Sequence, residues 1–255
     1  QLNEQQQSAV QSVTGPVLLL AVPGSGKTTV LVTRLGYMIF CRGIAPEKIL
    51  TVTYTVAATK DMSERFASRF GQDLADRLEF RTINGICARV IQYYGRKTAR
   101  TAFSLLTDEK RISAILSAIY QKTEQVYPTE GDLKNVRTLI TYIKNRMLNE
   151  KEIEALDETA EIRISAIYKE YCKHLRENQL MDYDDQMVYA YNMLRKIPWL
   201  LEYFQDQYPY ICVDEAQDTS KIQHAIIALL ESRTENLFMV GDEDQSIYGF
   251  RAAYP

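Results

Sequence analysis

The chain has 255 residues, of which 46% are hydrophobic and 25% charged, and its formal net charge is −3. That length and composition describe a soluble globular protein with a real core in one large domain or two small ones, and exclude a chain that stays unfolded. The slightly negative balance excludes broad electrostatic attraction to nucleic acid, and no apolar run is long enough to cross a bilayer.

In chain order, Asn3 is placed to cap a first helix, with Gln6 at its third position reaching back. Gly15-Pro16 ends that helix and leads into the apolar strand Val17-Leu18-Leu19-Leu20. AVPGSGKTT, Ala21 to Thr29, follows, and then a helix with Leu31, Leu35 and Met38 on one face. A second strand is expected over Lys48–Tyr54, a helix over Ala57–Phe70, a third strand over Leu78–Thr82 and a helix over Asn84–Tyr94. Strands alternating with helices predict an α/β fold with a parallel sheet covered on both faces. From about Lys97 to Lys196 the pattern is helix after helix, with stripes such as Ile112, Ile115, Leu116 and Ile119, or Ile164, Ile167, Tyr171 and Leu175. Asp182 is expected to cap the last of these helices. Alternation resumes with the strand Tyr210–Val213, a helix carrying Ile222, Ile226 and Leu229, and the strand Leu237–Val240. The expected layout is an α/β domain over 1–96 and 196–255, interrupted by an all-helical insertion over 97–195.

Three stretches carry chemistry. A buried strand, a loop with Gly24 and Gly26, and a helix starting at Lys27 have the sequence form of a phosphate-binding loop. The glycines let backbone N–H groups approach phosphate oxygens, and the helix adds the positive end of its dipole. Pro23, Gly24, Ser25, Gly26, Lys27, Thr28 and Thr29 are therefore expected around the phosphates, with Lys27 as the charge and Thr28 as a hydroxyl ligand to Mg²⁺. The second stretch is VDEAQD, Val213 to Asp218, at a strand end. There Asp214 is expected to hold Mg²⁺ and Glu215 to polarise an attacking water. In the third, VGDEDQSIYGFRAA from Val240, Gln245 is a neutral donor suited to sensing a γ-phosphate. Tyr248, Phe250 and Arg251 offer the flat faces and the cation of a base-stacking platform.

These motifs, in this order, resemble the UvrD/Rep/PcrA group of superfamily-one DNA helicases over nearly the whole chain. The resemblance implies a RecA-like P-loop NTPase domain with a helical insertion, acting with ATP and Mg²⁺ on single-stranded DNA or a single-strand/double-strand junction. LNEQQQSAV, from Leu2, is similar to the family's adenine-recognising segment, which assigns Gln6 to the adenine edge, and Arg34 matches a position near the adenine. TVTYTVAATKDM, from Thr51, resembles the segment where single-stranded DNA crosses the first motor domain, which assigns DNA contact to Thr53, Tyr54 and Thr55. FRTINGICARV, from Phe80, resembles the next DNA-contacting segment and adds Asn84. MDYDDQMVYA, from Met181, resembles the return from the insertion.

The chain departs from the family pattern at Ala21 in place of Gly, Val56-Ala57 in place of Asn-Lys, Asn84 in place of His, and Ala216 in place of an aromatic residue. Val56 and Ala57 lack the hydrogen bonds and charge expected at their positions. Lys134, Arg137, Lys144, Arg146 and Lys151 in the helical stretch read as a solvated face, with DNA contact as the alternative. The family continues into a second motor domain, so the chain is expected to be the N-terminal part of a longer protein. The motor half of a helicase–nuclease and a non-stepping ATP-dependent clamp are the alternatives. A polar N-terminus without signal-peptide layout, together with widely spaced Cys41, Cys87, Cys172 and Cys212, fits a reducing cytoplasm.

Overall fold

The computed structural model describes residues 2–243. Its elements begin with α1 (Glu4–Gln11), β1 (Val17–Ala21), α2 (Lys27–Phe40), β2 (Ile49–Thr53), α3 (Val56–Phe70), α4 (Gln72–Arg77), β3 (Glu79–Thr82) and α5 (Ile83–Thr98). A two-residue strand β4 (Ser104–Leu105) leads to the helices α6 (Glu109–Glu124), α7 (Glu130–Asn145), α8 (Glu150–Ala160) and α9 (Ile164–Glu177). Then come β5 (Leu180–Met181), α10 (Tyr183–Lys196), α11 (Pro198–Gln207), β6 (Tyr210–Val213), α12 (Lys221–Glu231) and β7 (Leu237–Asp242).

The chain divides into two compact units: residues 1–90 with 193–219 and 223 onward, and residues 91–192 with 220–222. The first holds a five-stranded sheet in the order β1-β7-β6-β2-β3, with every neighbouring pair parallel. This is the α/β class with a parallel sheet that the alternating pattern predicts. Parallel strands need helical crossovers, and the sequence supplies α2, α3 and α12 between strands. Because all five strands run the same way, their C-terminal ends share one edge of the sheet. There β1 ends in the glycine loop, β6 runs into Asp214 and β7 ends at Asp242.

Local chemistry explains the elements that frame that edge. Asn3 and Gln6 form a capping box: the Gln6 N–H donates to Asn3 Oδ1 at 2.9 Å and the Asn3 N–H to Gln6 Oε1 at 3.0 Å. In α2, Val30, Leu31, Leu35 and Met38 pack on Phe238 and Val240 in the core. Gly36 lets α2 meet α3 closely, because a Cβ there would lie 2.3 Å from the Phe70 ring. All five residues of β2 are buried.

The second unit is built mainly from α6, α7, α8 and α9. Ile112 and Leu116, Val136, Ile140 and Ile143, and Ile164, Ile167, Tyr171 and Leu175 form its core. Three features escaped the periodicity, α4 among them. β4 and β5 pair in parallel within the helical stretch, and α11 starts with Pro198 at its first turn, where a missing N–H costs nothing. Asp182 caps α10 as expected: the Asp185 N–H donates to Asp182 Oδ1 at 2.7 Å.

Candidate active site

The glycine loop is shaped as its sequence requires. Gly24 and Gly26 have φ of +81° and +83°, a left-handed backbone that other residues adopt only at a cost. Gly26 is the N-cap of α2 and has no side chain to cap it, so the first N–H groups of the helix have no capping side chain. Nothing lies within 4 Å of where a Gly24 Cβ would stand, which leaves the loop an open cradle. Pro23, Gly24 and Ser25 are exposed, and Lys27 and Thr28 are half-buried at the start of α2.

The parallel register brings three acidic side chains to this loop. Ala21 at the end of β1 pairs with Asp242 on β7, and Val213 on β6 pairs with Met239. Lys27 Nζ lies 3.4 Å from Glu215 Oε2 and forms a close ion pair with Asp242. Burial works to lower the Lys27 pKa, but the hydrogen bond to Asp242 and the charges of Glu215 and Asp242 outweigh it, and the net shift is upward. Asp214 is buried, and its N–H donates to Val52 O at 3.0 Å. Burial, then the neighbouring Glu215 charge, pushes its carboxyl up to about 6. Glu215 and Asp242 contact the one ammonium and Asp214 lies beside them, so the acidic groups outnumber the cation, which suits a divalent cation. Among the described residues, no group of three or more His, Cys, Asp or Glu side chains is arranged to hold a metal by itself. Mg²⁺ does not need one, since it is held by one or two carboxylates together with phosphates and waters.

Two residues that sequence reasoning did not single out complete the cluster. Gln217 Nε2 donates to Glu215 Oε2 at 2.5 Å, and the Asp242 N–H donates to Gln217 Oε1 at 3.1 Å. The available signal was positional: both residues lie inside stretches already marked, Val213 to Asp218 and the one from Val240.

The remaining predicted site residues are distributed unevenly. Gln6 is at the loop, where its Nε2 donates to Ser25 O at 3.1 Å while its Oε1 serves the α1 cap. Arg34, expected near the adenine, is buried against the end of α1, the segment assigned to adenine recognition. Its Nη1 donates to Ala9 O at 2.7 Å and Ser12 O at 2.6 Å, and its guanidinium lies 4.2 Å from the Phe238 ring centre. The orphan carbonyls near the end of α1 draw it there. Thr29 is exposed with its side chain beside Gly26, and its carbonyl accepts from Thr33 Oγ1 at 2.7 Å.

At the end of β2, Thr53 is buried with its hydroxyl 2.5 Å from Thr59 Oγ1. Thr55 caps α3 by accepting the Ala58 N–H at 3.0 Å. Tyr54 is half-buried and its phenol meets the Thr219 hydroxyl. Burial, then the charges of Asp218, Asp214 and Glu215, raises its pKa. Val56 and Ala57 stand exposed at the start of α3. Asn84 Oδ1 is buried without a hydrogen-bond partner. Gln245, Tyr248, Phe250 and Arg251 lie outside the described residues.

Of the basic residues in the helical stretch, Lys134, Arg146 and Lys151 are exposed and Arg137 pairs with Glu109. Lys144 overturns both readings offered for it. It is neither solvated nor free for DNA, since its Nζ is buried against Asp182 Oδ2 at 2.7 Å and Asp185 Oδ1 at 2.9 Å.

A family model described as the UvrD/REP helicase N-terminal domain matches residues 2–255. The chain is 32% identical over 255 residues to a Staphylococcus aureus (strain Mu50) protein named ATP-dependent DNA helicase PcrA, covering 99% of this chain and 34% of the relative. It is 34% identical over 258 residues to the protein of the same name from Bacillus subtilis (strain 168), with the same two coverages. The chain thus spans about a third of the length of the curated relatives it matches.

Proposed function

Because this chain belongs to the UvrD/REP helicase N-terminal domain family, we propose that it is the ATP-binding part of a DNA motor that moves along single-stranded DNA. The observation that carries the proposal is the convergence of Lys27, Asp214 and Glu215 beside a glycine loop at one edge of a parallel sheet. Residues 1–96 and 196–255 form the first RecA-like motor domain in this reading, and 97–195 its helical insertion. Its place of work is the cytoplasm, where four unpaired cysteines stay reduced.

The triphosphate takes hydrogen bonds from the loop N–H groups of Gly24 to Thr28 and the positive end of α2. Lys27 turns from Asp242 to the outer phosphates, exchanging one anionic partner for another. Thr28 and Asp214 would hold Mg²⁺, which would supply charge neutralisation to the phosphates. Glu215 accepts a proton from the attacking water as its oxygen bonds to the γ-phosphorus. The bond from that phosphorus to the β–γ bridging oxygen breaks, and ADP and phosphate leave. Gln245 senses the γ-phosphate. DNA crosses at Thr53, Tyr54, Thr55 and Asn84 and stacks on Tyr248, Phe250 and Arg251, with a second motor domain closing the cleft.

Titrating a fluorescent ATP analogue with Mg²⁺ against the wild type and Lys27→Ala tests the site. The substitution is expected to remove most phosphate-dependent affinity; equal affinity in the two proteins overturns the assignment.

A further inference from the structure

We propose that Gln217 is the positioning residue for the Glu215 carboxylate, and that it fixes that carboxylate to the end of β7. The inference rests on the reading of Glu215 as the base.

Glu215 is badly placed to orient itself. Its backbone has φ 48° and ψ 49°, a left-handed conformation unusual for glutamate, and its side chain is 43% exposed. A long acidic side chain on such a turn samples many rotamers unless something holds it. Among the described residues its carboxylate meets two groups, Lys27 Nζ at 3.4 Å and Gln217 Nε2 at 2.5 Å. When Lys27 turns to a triphosphate, the Gln217 amide is the partner that stays. A neutral amide has a further merit here: it orients a carboxylate while depressing its basicity less than a cation would.

The other end of Gln217 is anchored as firmly. Its Oε1 accepts the Asp242 N–H at 3.1 Å, and its Nε2 also lies 3.4 Å from Asp242 Oδ2. Gly241 makes this docking possible. A Cβ at that position would stand 2.7 Å from Gln217 Oε1 and 3.3 Å from the Ala216 and Gln217 nitrogens. Gly241 adopts no left-handed φ, so its missing side chain serves close approach and not a turn. One amide therefore bridges the turn after β6 and the last residues of β7. Any shift at the end of β7 is passed to the Glu215 carboxylate.

The test uses the full-length protein that carries this chain, with steady-state ATP turnover on single-stranded DNA and a thermal melt for each variant. Gln217→Met keeps the length of the side chain without its amide. It is expected to lower kcat by about 10- to 100-fold, with the KM for ATP within about twofold of wild type. Added to Glu215→Gln, it is expected to cost nothing more, because Gln217 acts through the group already lost. Gln217→Glu keeps the shape but sets a second carboxylate against Glu215. It is expected to lower kcat, because a carboxylate in place of the amide donates no hydrogen bond to Glu215. A wild-type kcat in Gln217→Met overturns the inference, as does a loss that multiplies with Glu215→Gln. A raised KM together with a lowered melting temperature also overturns it, since that marks a purely structural role. Failure of the two readings is distinguishable. If Glu215→Gln retains turnover, the base assignment falls; if only Gln217→Met retains it, the positioning inference alone falls.

Discussion

Each compact unit contains one lysine set between two carboxylates, and the two lysines do opposite things. In the helical unit, Lys144 sits 2.7 Å from Asp182 and 2.9 Å from Asp185, with 2% of its side chain exposed. Tyr171 adds its hydroxyl to Asp182 at 3.1 Å, and the Asp182 and Asp185 side chains are only 14% and 13% exposed. Burial works against the Lys144 charge, but the Asp182 and Asp185 charges outweigh it and its pKa moves up. In the sheet unit, Lys27 lies between Glu215 and Asp242 with 11% of its side chain exposed, and Glu215 remains 43% exposed. The backbone separates the roles. Lys144 lies in the last turn of α7, where a cation complements the carbonyl end of the helix dipole and is stabilised where it stands. Lys27 opens α2, where the dipole repels it and free N–H groups invite an anion. The first constellation is complete by itself. The second is poised for exchange.

The largest expected effect tests that incompleteness. As an isolated polypeptide, residues 1–255 should bind Mg²⁺–ATP and hydrolyse it little, with or without single-stranded DNA. Among the described residues no arginine pairs with Asp214, Glu215 or Asp242. An arginine brought to such a site typically contributes about 10³–10⁵ in rate. A phosphate-release assay decides the point; robust DNA-stimulated turnover would mean that the site is completed by self-association.

The next effect compares the lysines directly. Lys144→Ala leaves two half-buried carboxylates without their cation and should destabilise the chain by about 3 kcal/mol in urea unfolding. Lys27→Ala should change stability by about 1 kcal/mol or less, because Glu215 is 43% exposed, while removing most phosphate-dependent nucleotide affinity. Equal stability losses at the two positions would erase the distinction.

The smallest effect concerns Tyr54, which stands between packing and function. Tyr54→Ala should weaken single-strand affinity of the full-length protein by about 1–3 kcal/mol at fixed salt. Tyr54→Phe keeps the ring and loses the hydroxyl contact to Thr219, so it should leave DNA affinity intact and cost about 1 kcal/mol of stability. Affinity untouched by either change leaves Tyr54 as a packing residue.

Much of the fold was legible because its signals are local. The turn demanded by Gly24 and Gly26, the alternation of apolar strands with amphipathic helices, and the caps at Asn3 and Asp182 each depend on residues within a few positions. The pair Asp214-Glu215 was legible less directly: an acidic pair at a strand end commonly caps a helix, and the glycine loop far upstream is what marked it as a candidate site. Sequence by itself thus determined the α/β class, the glycine loop before α2 and the chain order of the motifs.

What only the tertiary structure decided was which charges are used up. Arg34 and Lys144 look in sequence like any other basic residues on a helix, yet one is bound by carbonyls of α1 and the other by carboxylates at the start of α10. Those partners lie 22 to 41 positions away along the chain, as the numbers of Ser12, Ala9, Asp182 and Asp185 show. The Gln217 bridge is similar: it exists because β6 and β7 pair in parallel and Gly241 leaves room. Whether a charge is neutralised depends on what packing brings within about 3–4 Å of it, and burial sets how much that pairing matters.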